Sequence, residues 1–127
     1  MILVFGGAYN GKIQFVMNKY SLKDEDIFFC KDEVLDFNKK VICGLHIFTK
    51  KCVLNNIDSL TVIKDNIELL KDKIIICDEI GSGIVPMTKE DRMWREENGR
   101  VLQYLCLNAD EIYRVFFGLS EKLIKNM

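Results

Sequence analysis

The chain has a single proline and no Gly/Ser-rich stretch, so nothing in it reads as a linker, and at 127 residues it is too short for two ordinary domains. About half of it is apolar, enough for one compact core. It lacks any Cys-x-x-Cys pair. Its five cysteines (Cys30, Cys43, Cys52, Cys77 and Cys106) are an odd number, which argues against both a zinc site and a disulfide framework and for reduced thiols. There is no surplus of positive charge: 18 basic against 19 acidic residues give a net charge of −1, so no nucleic acid partner is expected. No stretch approaches the roughly 18 apolar residues of a membrane span. A cytoplasmic protein is the expectation, with no repeat or low-complexity segment.

Continuous apolar runs at residues 2–5, 27–30, 74–77 and 113–117 fit strands buried on both faces. Between them, residues 12–20, 41–54, 58–70 and 88–107 show helical spacing. The last segment opens with Thr88 and Asp91, a capping-box arrangement just after Pro86, and carries Gly99 in its middle. Strands alternating with helices predict a three-layer α/β domain, a mostly parallel sheet with flanking helices of the P-loop NTPase-like (RecA-like) kind, covering residues 1–127.

The first strand runs straight into Gly6-Gly7-Ala8-Tyr9-Asn10-Gly11-Lys12, a Walker A spacing. Gly6 and Gly11 permit backbone conformations that aim several N–H groups at one phosphate, and Lys12 reaches the β/γ oxygens from the start of the next helix. The pattern then asks for a Ser or Thr hydroxyl on Mg²⁺. Ile13 stands there instead and offers no oxygen.

A second constellation is the apolar run Ile74-Ile75-Ile76-Cys77 delivering Asp78 and Glu79 at its carboxyl end. In phosphoryl transfer an acid so placed holds Mg²⁺, and a neighbouring one orients or deprotonates the nucleophile. The same two residues would also suit a solvated turn. Lys12, Asp78 and Glu79 are the candidate catalytic residues, Gly6 to Ile13 the candidate nucleotide-binding loop, and Asp78 the candidate metal ligand for the Mg²⁺ of bound GTP or ATP.

The run Asp78-Glu79-Ile80-Gly81-Ser82-Gly83-Ile84-Val85-Pro86, then Arg92-Met93-Trp94-Arg95-Glu96, Gly99, Gln103 and Ala109-Asp110-Glu111-Ile112 resembles the bifunctional adenosylcobinamide kinase / adenosylcobinamide-phosphate guanylyltransferase family of cobalamin biosynthesis. Its loop reads Gly-Gly-Ala-Arg-Ser-Gly-Lys-Ser, so residues 6–12 match as well. The resemblance implies phosphorylation of the aminopropanol hydroxyl of adenosylcobinamide by a nucleoside triphosphate, and a homo-oligomer. Tyr9, Asn10 and Ile13 replace the family's Arg, Ser and Ser; Trp94, Glu96 and Leu102 replace its Phe, Asp and Asn.

The middle departs furthest. Aligning Cys43-Gly44-Leu45-His46 with the family's acid-Cys-Leu-Thr segment puts Cys43 where a carboxylate belongs and leaves no counterpart of the histidine that becomes guanylylated, as in an internally shortened member. His46, the only histidine, sits among Leu45, Ile47 and Phe48, the setting of a packed or hydrogen-bonded imidazole more than of a covalent acceptor. Arg92 and Arg95, one turn apart, would clamp a nucleotide or corrinoid phosphate, or else face a neighbouring subunit or solvent. Two functions stay open: a kinase without the guanylyltransferase half, or a non-catalytic module that binds nucleotide or corrinoid.

Overall fold

The computed structural model describes residues 1–80 and 88–123. In chain order the elements are β1 (Ile2–Gly6), α1 (Lys12–Tyr20), a short 3₁₀ turn (Asp24–Asp26), β2 (Ile27–Phe29), β3 (Val41–Cys43) and α2 (Leu45–Leu54). They continue with α3 (Ser59–Asp65), α4 (Ile67–Leu70), β4 (Ile74–Asp78), α5 (Lys89–Asn108), β5 (Glu111–Phe116) and β6 (Leu119–Leu123). One six-stranded sheet runs β2-β3-β4-β1-β5-β6, parallel throughout except for the antiparallel β5–β6 pair.

The layers follow from chain direction. Right-handed crossovers place a helix on one face when the chain moves one way across the sheet and on the other face when it moves back. The step from β1 out to β2 leaves α1 on one side, and the steps back through β4 to β5 leave α2 to α5 on the other. Strand residues alternate accordingly. Val4, Val41, Cys43, Ile74, Ile76 and Val115 pack with Val16 of α1. Leu3, Ile42, Ile75, Cys77 and Ile112 pack with Phe48, Ile63, Val101 and Leu105 of the opposite layer. This is the three-layer P-loop-like α/β fold expected, with β1, β3 and β4 apolar on both faces along their buried length.

Helix starts carry identifiable caps. Thr88 Oγ1 accepts the Asp91 N–H at 3.0 Å, with Glu90 and Asp91 in the first turn where the helix dipole favours them. Asp58 caps α3 by accepting the Thr61 N–H.

The structure corrects several expected boundaries. Residues 41–43 are a strand, not the start of a helix running to 54, because Val41, Ile42 and Cys43 fill the slot between β2 and β4, and Gly44 at φ 82° turns the chain into α2. The helix expected over 58–70 is broken at Asn66. The last expected strand ends at Phe116, since Phe117 lies in a turn, and it pairs with β6, whose exposed Leu-Ser-Glu-Lys sequence carries no alternating signal. Residues 81–86, part of the family-like run, lie outside the described residues.

One close approach fixes where β1 ends. A Cβ on Gly6 would lie 2.1 Å from the backbone oxygen of Val115 on β5, whereas one on Gly99 would meet nothing within 4 Å. Gly6→Ala is expected to destabilise the fold by roughly 2–3 kcal/mol or more, as overpacking against backbone does. Gly99→Ala, in a helix interior, should stabilise by about 0.5–1 kcal/mol. Urea-unfolding midpoints of the two variants check the contrast, and equal effects would refute it.

Candidate functional site

The site begins with a register. Gly6 lies opposite Asp78 across the parallel β1–β4 pair, and the Glu79 N–H closes the ladder by donating to the Gly6 carbonyl at 2.7 Å. Both strands therefore end level, with the loop of residues 7–11 arching from one of them back to α1. Gly11, at φ 87°, starts that helix without any side-chain cap and with no acidic residue in its first turn. The amides there have no internal carboxylate to neutralise them, the condition that suits an anion.

Lys12 is buried to 6 % exposure and reaches across the loop. Its Nζ donates to the Gly7 carbonyl at 2.6 Å and sits 2.7 Å from Asp78 Oδ1. The pleat explains why Asp78 is the partner: residues 74, 76 and 78 of β4 face the α1 layer, and Glu79 must face the other way. The two adjacent carboxylates are thus separated. Asp78 lines a cleft of about 560 Å³ together with Lys12, Ile13, Phe29, Cys43 and His46. Glu79 has its Oε2 3.5 Å from Arg114 and lines a largely apolar cavity of about 750 Å³ with Phe5, Leu102, Gln103 and Ile112.

His46 stands in the first turn of α2 and closes the cleft beside Asp78. Its Nδ1 accepts the Asp78 N–H at 3.1 Å, so that nitrogen carries no proton, and its Nε2 lies 3.4 Å from Asp78 Oδ2. Both ring nitrogens are engaged by one residue. Burial lowers the imidazole below its usual range; the Asp78 carboxylate opposes this and the Lys12 ammonium adds to it.

A polar network behind these residues was invisible in the sequence. Thr49 Oγ1 contacts the His46 carbonyl (2.9 Å) and Asn98 Oδ1 (2.8 Å), and Asn98 Nδ2 reaches the Asp78 carbonyl at 3.5 Å. Trp94 Nε1 donates to the His46 carbonyl at 2.8 Å and approaches Thr49 Oγ1 at 3.1 Å. Lys50 Nζ sits 4.9 Å above the indole ring. Helix α5 thereby fixes the backbone of both cleft residues. The one available signal was positional: Leu102 stands where the related pattern has Asn, and Asn98 lies one turn earlier on the same helical face.

Other expected residues are placed as follows. Tyr9 is fully exposed at φ 60°, at the rim of the cleft, and Asn10 accepts a hydrogen bond from the Gly118 N–H through its carbonyl. Ile13 packs partly buried against the core of the α1 layer. Arg92 and Arg95 do not join Lys12; they lie with Arg100 and Gln103 along a shallow groove on α5.

Among the described residues that line the cleft, Asp78 is the one carboxylate. Ile13 has no oxygen, and the Cys43 thiol is pushed up to about 11 by burial and by Asp78, against Lys12, which keeps it neutral. Among the described residues no group of three or more His, Cys, Asp or Glu is placed to hold a metal. A single carboxylate would suit Mg²⁺ brought in on nucleotide oxygens, a mode in which the ion keeps most of its waters. No helix among the described residues is long and apolar enough to cross a membrane.

Comparison with known proteins agrees with this architecture. A family model described as cobinamide kinase / cobinamide phosphate guanyltransferase matches residues 36–123, which takes in Cys43, His46, Asp78 and Glu79 and leaves the loop at residues 6–12 before it. The bifunctional adenosylcobalamin biosynthesis protein CobU of Salmonella typhimurium is 38 % identical over 50 residues, which are 39 % of this chain and 28 % of that protein.

Because His46 is the sole histidine, its titration is readable without assignment. Its NMR midpoint is expected below 6.5, with Nδ1 the unprotonated nitrogen at neutral pH. The sign follows: below 6.5 the unfolded chain takes up a proton that the folded imidazole refuses, so stability falls as pH drops from 6.5 toward the folded midpoint. A midpoint at or above 6.5 contradicts the hydrogen-bonded, buried assignment.

Proposed function

The chain belongs to the cobinamide kinase / cobinamide phosphate guanyltransferase family, and from that premise we propose that it binds GTP or ATP at residues 6–13 and transfers the γ-phosphoryl group to the aminopropanol hydroxyl of adenosylcobinamide. The observation that carries the proposal is Lys12 Nζ held between the Gly7 carbonyl and Asp78 Oδ1 at the uncapped start of α1. A cation already stationed beside the loop amides meets phosphate charge by exchanging partners, from Asp78 to the phosphate. The aligned stretch spans under a third of the Salmonella protein's length, so substrate and reaction are inferences from kinship and chemistry together.

In this reading the loop amides and Lys12 cradle the β- and γ-phosphates. Asp78 holds the nucleotide's Mg²⁺, which supplies charge neutralisation of the phosphates. The acceptor oxygen forms a bond to the γ-phosphorus while the bond from that phosphorus to the β–γ bridging oxygen breaks, releasing the nucleoside diphosphate. Glu79, turned toward the apolar cavity, takes the hydroxyl proton from an acceptor seated there. Arg92 and Arg95 are left to a peripheral phosphate or to a subunit contact in a homo-oligomer.

His46 supports a reading without the second activity. A covalent guanylyl intermediate needs a ring nitrogen free for attack, and both nitrogens of this imidazole face Asp78. A second reading, a nucleotide- or corrinoid-binding module without turnover, is favoured by one specific feature: Ile13 and Cys43 together withdraw two oxygens from the metal's surroundings.

Calorimetry with GTP and ATP, each with and without Mg²⁺, tests the proposal. Lys12→Ala is expected to weaken binding by roughly 1.5–3 kcal/mol, the loss of a charge-assisted hydrogen bond; an unchanged affinity would sink the assignment. Ile13→Ser should steepen the Mg²⁺ dependence of both binding and turnover by restoring an inner-sphere oxygen. If that variant gains metal dependence in binding yet still transfers no phosphoryl group, the non-catalytic reading holds.

A further inference from the structure

We infer that the groove beside Gly118 is a nucleobase pocket and that Phe117 is its stacking platform; this deepens the nucleotide-binding proposal above and rests on it. The β5–β6 hairpin turns on Phe117 and Gly118, both left-handed at φ 50° and 76°. A two-residue turn of this hand is ordinarily filled by Asn-Gly or Gly-Gly, because a bulky side chain is disfavoured at positive φ. Phe117 accepts that strain while its ring is 88 % exposed. An aromatic residue held in a disfavoured backbone conformation and left facing solvent beside a groove points to a ligand.

The tip is also fixed in place. The Gly118 N–H donates to the Asn10 carbonyl at 3.1 Å, and a Cβ on Gly11 would meet Gly118 Cα at 3.6 Å. The hairpin thus docks directly on the phosphate loop. Between it and α1 lies a groove of about 640 Å³ lined by Gly11, Gln14, Phe15, Asn18, Lys19 and Gly118. Gly11 and Gln14 also line the cleft that holds Lys12 and Asp78, so the loop opens to both sides.

Which side takes the base is decided by charge. Lys12 Nζ and Asp78 stand on the cleft side, which commits that side to the γ-phosphate and its metal. A nucleotide whose terminal phosphate points there leaves the loop on the opposite side, into the groove. Gln14 and Asn18 are one turn apart on the exposed face of α1, and their amides offer donors and acceptors to a base edge. Lys19 Nζ lies 5.3 Å from the Tyr113 ring centroid, which keeps its ammonium beside the groove floor.

The competing arrangement seats the base in the cleft against Phe29, which is half exposed there. Calorimetric titrations of the wild type, Phe117→Ala, Phe117→Asn and Phe29→Ala with GTP, ATP and inorganic tripolyphosphate separate the two. Both Phe117 variants are expected to weaken the nucleotides at least about fivefold, the effect of losing one stacked base. Their tripolyphosphate affinity should stay at the wild-type value, whereas Phe29→Ala, a change in the phosphate cleft, should shift nucleotide and tripolyphosphate affinities by the same factor. Phe117→Asn adds a readout that a merely structural role would not give, since Asn suits the turn: thermal stability should rise while nucleotide affinity falls. Nucleotide affinity unchanged in both Phe117 variants, or a loss in Phe29→Ala that nucleotides show and tripolyphosphate does not, overturns the base pocket and leaves the phosphate site standing. Failure of the wild type to bind any nucleotide overturns both.

Discussion

The level ending of β1 and β4 is the constraint on which the rest of the site depends. Parallel pairing sets Gly6 against Asp78, and the period-2 pleat then turns Asp78 toward α1 and Glu79 away from it. Everything at the cleft follows from that geometry. The loop must return over the strand ends to start α1, so its first helical residue, Lys12, meets the Asp78 carboxylate and no other. Shifting β4 by one residue would exchange the two acids and present Glu79 to the lysine, with the whole apolar set of the strand inverted between the two cores. The register is therefore protected by the packing of Ile74, Ile75, Ile76 and Cys77, not by the ion pair it creates.

How much of this was legible in the sequence varies with how local the signal is. The loop and the Asp78–Glu79 strand end could be read because spacing and a continuous apolar run are properties of a short window. Their separation into two cavities was also derivable, since adjacent strand residues face opposite ways. Strand β3 was not, because Val41-Ile42-Cys43 abuts an apolar helix and three residues are too few to show a period of their own. Strand β6 was hidden for the opposite reason: it is an exposed edge, where side chains need not alternate. The contacts among Thr49, Trp94 and Asn98 join α2 to α5 across some fifty residues, and no window contains them.

Those contacts change how the departures from the related pattern should be weighed. Taken singly, Ile13 for Ser, Cys43 for an acid, Trp94 for Phe and Leu102 for Asn look like decay. In the structure they divide into two groups. The first two remove oxygens from the front of the cleft. Trp94, however, brings an indole N–H that satisfies the His46 carbonyl, and Asn98 supplies an amide on the face where Leu102 has lost one. Buried polar groups are costly when unsatisfied, so a network whose members bond to one another over three elements is held together by that requirement. The back of the cleft is built, while the front is reduced.

That asymmetry bears on what the cleft can still do. In the nucleotide-binding reading proposed above, cradling phosphate asks for backbone amides and one cation, which the uncapped start of α1 and Lys12 would offer without any help from Ile13. Moving the terminal phosphoryl group needs charge neutralised as it develops, and most P-loop enzymes share that load between lysine, hydroxyl-bound metal and acid. In that reading the lysine and a single carboxylate would carry it, and the structure pairs the two with each other at 2.7 Å. A triphosphate in the loop would draw Lys12 toward itself and so open the Asp78 carboxylate to a cation. His46, bonded to the Asp78 backbone and with burial disfavouring its charged form, adds no competing positive charge beside that carboxylate at neutral pH. On the proposed reading the site would thus couple occupancy of the loop to availability of Asp78 for a metal ion, a coupling that a site with a Ser or Thr in place of Ile13 would not need.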